Sequence, residues 1–113
     1  MTLNPQTYDL KKRKEFVDAW VQAHIELGKQ DEDGAVFCPL GTRKRAMAAS
    51  HQMNLVRAAM KAQRQDGWLY DTLKMSVVRR TINGVVTWGL RFTLRPPKPE
   101  YDFQFIVDRI ANG

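Results

Sequence analysis

An Asn-Gly pair at positions 83 and 84 stands between two runs of alternating residues that together span Thr72 to Arg95. A two-residue type I′ turn needs positive φ at both central positions, which Asn and Gly tolerate better than other residues, so the stretch predicts a β-hairpin. Folding the chain back on that turn sets Leu73 opposite Leu94, Met75 opposite Phe92, Val77 opposite Leu90, Arg79 opposite Trp88 and Thr81 opposite Val86. Side chains alternate faces along a strand, so these pairs share one face, which is apolar except at Arg79 and Thr81 near the tip. The other face pairs Lys74 with Thr93, Ser76 with Arg91, Val78 with Gly89, Arg80 with Thr87 and Ile82 with Val85, and is basic and wet.

A lone hairpin is only marginally stable in water, so its apolar face requires cover. Two stretches have the helical period to supply it. After a short extended lead-in to Tyr8, Thr7 or Asp9 caps a helix running to about Leu27, with Gly28 as its stop. Phe16, Val17, Trp20, Val21, His24 and Leu27 recur on one side of it, while Lys11, Lys12, Arg13 and Lys14 face solvent. Gly41-Thr42 caps the second helical segment, which reaches about Arg64 with no interior Pro or Gly and aligns Ala46, Ala49, Met53, Val56 and Met60 in one stripe.

Between the two segments, Gly28 to Gly34 reads as a flexible acidic loop carrying Asp31, Glu32 and Asp33, without the ligand spacing of a calcium loop. Ala35 to Cys38 reads as a brief edge strand ended by Pro39, with Cys38 a buried small hydrophobe. Trp68 and Tyr70 are expected to pack at the approach to the hairpin. Beyond it, Pro96-Pro97-Lys98-Pro99 is a stiff connector, and Glu100 to Ile110 fits either a strand or a helix.

With 113 residues, 43% of them hydrophobic, the chain can close one core without disulfide or metal support. The expectation is a single α+β domain over residues 1–113, two main helices packed on an antiparallel hairpin with a C-terminal helix or strand. The order of elements also parallels, in order only, the winged-helix arrangement, provided that Thr42 to Arg64 breaks near Ser50-His51 into two helices and the hairpin serves as the wing.

Charge narrows the function classes. Gly41 to Arg95 holds eleven Lys and Arg against two carboxylates, Asp66 and Asp71, so this half of the chain is more cationic than the net +6 of the whole. Such asymmetry attracts a polyanion. On the second helix, the face opposite the apolar stripe carries Arg43, Ser50, Asn54, Arg57, Lys61 and Arg64, with Lys44 and Arg45 added at its start. Cations mixed with short amide and hydroxyl groups suit phosphates and base edges. On the hairpin, Arg79, Arg80, Trp88 and Arg91 supply further cations and a stacking surface, Arg79 and Trp88 being placed for a cation-π pair. A plainer reading of the same residues is a solvated basic face over an ordinary core.

Catalytic signatures are missing. The chain has no glycine-rich phosphate loop, no HExxH, no Gly-x-Ser-x-Gly and no CxxC, and its lone cysteine rules out an intrachain disulfide. His24 and His51 lack partners at metal or nucleophile spacing, so no cofactor and no enzymatic activity are expected. The absence of a long apolar run and of a charged-then-apolar leader sets the expectation at a cytoplasmic protein without a membrane partner.

These readings converge on a small basic nucleic-acid-binding protein, of DNA in preference to RNA, accessory to replication, transcription or packaging. Its rival is a protein-interaction module, such as a small inhibitor or adaptor docking on an acidic surface of a larger enzyme. A dimer follows if the apolar C-terminal element finds no place in the monomer's core.

Overall fold

The computed structural model describes residues 4–30, 34–64 and 66–95, with the backbone alone at Trp68. The acidic residues Asp31 to Asp33, the connector Pro96 to Pro99, the element expected over Glu100 to Ile110 and the side chain of Trp68 therefore lie outside the described residues. Within them the elements are helix α1 (Lys14–Gly28), strand β1 (Ala35–Gly41), helix α2 (Arg43–Gln63), and strands β2 (Leu73–Ile82) and β3 (Val85–Leu94). A 3-10 turn, Leu10–Arg13, leads into α1, and another, Gly67–Thr72, joins α2 to β2.

The architecture is α+β, with two helices on an antiparallel sheet of order β1-β3-β2. The hairpin has the register that its turn dictates, from Leu73 opposite Leu94 to Ile82 opposite Val85, and both Asn83 (φ 51°) and Gly84 (φ 79°) adopt the positive φ that the turn demands. A hydrogen bond from Arg95 N to Thr72 O (2.7 Å) closes its base.

Strand β1 pairs with β3 and extends beyond Cys38 through Pro39 to Gly41, with an irregularity between Pro39 and Gly41. Proline is tolerated there because β1 lies at the sheet edge beside a bulge, where no ladder donor is required of it. Cys38, expected inside, is exposed. Partial burial nonetheless pushes its thiol pKa up. It lines a shallow apolar cleft with Ala23, Val36, Leu90 and Phe92.

Helix α1 begins later than its cap. Asp9 Oδ1 accepts from Lys11 N (3.1 Å), so the first turn is 3-10, and Gly28 closes the helix from inside rather than stopping it from beyond. The lead-in is a turn, not an extended strand: Thr7 N donates to Asn4 O (3.0 Å), and Gln63 Nε2 donates to both Pro5 O and Tyr8 O (2.7 Å each). His24, placed on the apolar face by spacing, is exposed with its ring edge toward Tyr70.

Helix α2 starts at Thr42, whose Oγ1 accepts from Arg45 N (3.2 Å), and runs 21 residues without interruption. No break occurs at Ser50-His51, so the winged-helix analogy loses the helix pair that it required. The physical reason is composition: Ala, Met, Leu, Arg and Lys favour helix throughout this segment, and no Pro or Gly opens it.

Both helices pack on one face of the sheet. Trp20, Ala23 and Leu27 from α1 meet Met53, Val56 and Met60 from α2 over Leu73, Leu90 and Phe92. Trp20 is fully buried at the centre, its Nε1 donating to Met53 O (2.8 Å) and its ring edge-on to Phe92 at 5.6 Å. An indole in the core needs this partner for its one polar atom.

The opposite face holds one tight contact. Gly89 sits in the central strand, where a Cβ would overlap the Cys38 carbonyl oxygen and come within 2.8 Å of Phe37 Cζ. Its φ is unremarkable for any residue, so glycine is required here for room. Gly89→Ala is expected to force β1 off β3 and to cost roughly 1–3 kcal/mol, as overpacking does. Urea unfolding of the variant checks it, and an unchanged midpoint would mean that β1 yields freely.

Candidate functional site

The residues singled out by sequence separate into two groups along α2. At its C-terminal end the cations are engaged. Arg57 is half-buried, with Nη1 donating to Leu73 O (2.9 Å) and Tyr70 O (3.3 Å), Nη2 donating to Asn54 Oδ1 (3.0 Å), and the guanidinium 4.6 Å from the Trp20 ring centre. Burial, aided by the neighbouring charge of Arg95 and opposed by Asp71, pulls its pKa below the ordinary arginine value. Lys61 Nζ lies 2.7 Å from Asp71 Oδ2, and Arg64 Nη2 lies 2.7 Å from Asp66 Oδ2. The only carboxylates of the basic half are thus spent on Lys61 and Arg64.

At the other end the cations are exposed. Arg43, Lys44 and Arg45 crowd the first turn of α2, and among the described residues none of them forms an ion pair. The Arg43 guanidinium lies 5.8 Å from the Trp88 ring centre, so the cation over Trp88 comes from α2 rather than from Arg79 across the hairpin. Arg79, Arg80 and Arg91 are exposed on β2 and β3. Ser50 is half-buried midway along α2, and Asn54 is already an acceptor for Arg57.

The topology explains why these groups meet. Strand β1 ends against Trp88, so beyond that residue the sheet, among the described residues, consists of β2 and β3 and projects as a two-stranded arm. Arg79 and Arg80 stand on opposite faces of the arm near its root. Its tip is apolar and uncovered, with Val85 63% and Val86 54% exposed. The start of α2 reaches the root of the arm through Arg43 and Trp88. The structure therefore brings Arg43 to Trp88 and Arg79 at the root of the arm, with Lys44 and Arg45 next to Arg43 in the first turn of α2 and Arg80 on the other face of the sheet, and leaves Arg57, Lys61 and Arg64 at the far end of the helix.

On the sheet face opposite the two helices, Phe37 was given no role by the sequence, whereas Lys74 was placed on this face but not among the candidate contacts. Phe37 stands opposite Arg91, with its ring 5.1 Å from the Arg80 guanidinium, and Lys74 is exposed two positions from Ser76 on the same face. The signal for Phe37 was Gly89, an isolated glycine inside a strand, which marks a place where something else comes close.

Among the described residues no helix is long and apolar enough to cross a membrane, and no group of His, Cys, Asp and Glu could hold a metal ion. No protein-family model, curated protein or solved structure matches the chain.

Proposed function

We propose that the protein binds nucleic acid, DNA in preference to RNA, through the two-stranded arm and the first turn of α2. The observation that carries this reading is the cluster of exposed cations, Arg43, Lys44, Arg45, Arg79 and Arg80, that has no carboxylate partner among the described residues while Lys61 and Arg64 have theirs. A bare two-stranded ribbon is also of a width that the major groove admits. Arg79 and Arg80, pointing to the two sides of the ribbon, would then reach phosphates of both walls, and Arg43 to Arg45 those of the adjoining backbone.

The test is salt. With roughly four to six phosphates contacted, affinity for a duplex should fall by about two to three orders of magnitude between about 50 and about 200 mM salt. Fluorescence anisotropy with a labelled duplex reads this directly. A flat dependence, or no binding at the lowest salt, overturns the proposal.

A protein partner is the second reading, favoured by the exposed apolar tip at Ile82, Val85 and Val86 and by an outer edge of β2 that is unpaired among the described residues. Nuclease treatment before a pull-down separates the two, since only a nucleic-acid-dependent association disappears with it.

A further inference from the structure

From the sheet face opposite α1 and α2 we infer that it is a seat for single-stranded DNA, with one unstacked base lying on the Phe37 ring and the neighbouring phosphates on Arg80, Arg91 and Lys74. This rests on the nucleic-acid reading above and names a second surface and a strand state for it.

Both helices cover the opposite face, where Leu73, Leu90 and Phe92 are buried, and among the described residues no element lies over Phe37. Along β1, β3 and β2 the free face carries cations, hydroxyls and an aromatic ring but no carboxylate: Lys74, Arg80 and Arg91 are its charges, Ser76, Thr87 and Thr93 its hydroxyls. A sheet face that merely met water would be expected to mix both signs of charge. Single-sign charge beside an aromatic ring is the inventory of a stacking platform, where a base lies on the ring and the cations track the backbone.

Gly89 gives the platform its shape. With no side chain in the centre of the sheet, the Phe37 ring from one edge strand and the Arg80 side chain from the other meet over the gap. At 5.1 Å from the ring centre, the guanidinium is within cation-π range of the ring, so a base has to displace it. Arg80 is exposed and flexible, so a base can take the ring while Arg80 turns to the adjacent phosphate. Duplex bases are stacked on one another and cannot use the ring, which makes strand state the discriminating variable.

Anisotropy with a labelled oligothymidylate and a duplex of equal length tests the inference. Phe37→Leu should weaken single-strand binding roughly five- to a hundredfold and leave duplex binding within about twofold, while Phe37→Tyr keeps both. Ultraviolet crosslinking of the wild-type protein to the oligothymidylate should place the adduct on the peptide containing Phe37, a readout independent of any variant's folding. Single-strand affinity untouched by Phe37→Leu, an equal loss on the duplex, or an adduct elsewhere overturns the seat while leaving the arm's duplex binding standing. Tighter binding of oligouridylate overturns the assignment to DNA. Failure of the wild-type protein to bind any oligonucleotide at low salt overturns this inference and the proposed function together.

Discussion

Reversing both charges at the root of the arm, Arg79→Glu with Arg80→Glu, is expected to weaken duplex binding at least about a hundredfold at moderate salt. Two favourable phosphate contacts become two repulsions, and the slope of log affinity against log salt should flatten by about two. Both side chains are exposed and neither forms an ion pair among the described residues, so each substitution should shift stability by no more than about 0.5 kcal/mol. Binding and thermal melting measured on the same preparation separate the two effects. Full duplex affinity in a folded double variant would remove the arm from the proposed interface.

The second large effect lies at Arg57 and concerns the fold. Arg57→Leu removes donors from Leu73 O, Tyr70 O and Asn54 Oδ1 and lifts a cation from the face of Trp20. Hydrogen bonds from a charged donor, together with a partly desolvated cation-π contact, put the loss at about 2–4 kcal/mol. For a chain of this size, melting should fall by roughly 10–20 °C. Arg57→Lys should recover only part of it, because an ammonium lacks the planar fork that spans the two carbonyls. Lys61→Ala, which breaks an exposed ion pair, should cost less than about 1 kcal/mol and serves as the control. A melting temperature in Arg57→Leu no lower than in Lys61→Ala would show the guanidinium to be dispensable to the fold.

That contrast shows how far the sequence could be read. The hairpin was legible to the residue because Asn83-Gly84 fixes the turn, and the turn fixes every pair from Leu73 to Leu94. The apolar stripe of α2 was legible too, since four of its five members, Ala46, Met53, Val56 and Met60, are fully or almost fully buried. Helical spacing alone could not distinguish Arg43 from Arg57, because both fall on the same polar face. What separates them arrives from outside the helix: the 3-10 turn after α2 brings Asp66, Asp71 and the Tyr70 carbonyl back against its last turns, and among the described residues no carboxylate pairs with its first-turn cations.

Strand β1 was legible only as an apolar run. Ala35 to Cys38 contains no polar residue to mark which positions face inward, so its phase was undetermined. Pairing with β3 sets that phase, turning Val36 and Cys38 toward the helices and Phe37 away. The aromatic residue of the free face thus depended on a partner strand more than fifty positions distant in the chain.

Helix α2 touches the hairpin at both ends, through Arg57 on the Leu73 carbonyl and through Arg43 on Trp88, points about 21 Å apart along the helix axis. It therefore splints the ribbon to the body, so that the projecting strands cannot swing about their base without either lifting Arg43 from the indole or pulling Arg57 from its carbonyls. A displacement of the ribbon is thus passed along α2 to the contact between Arg57 and the strand that begins at Leu73.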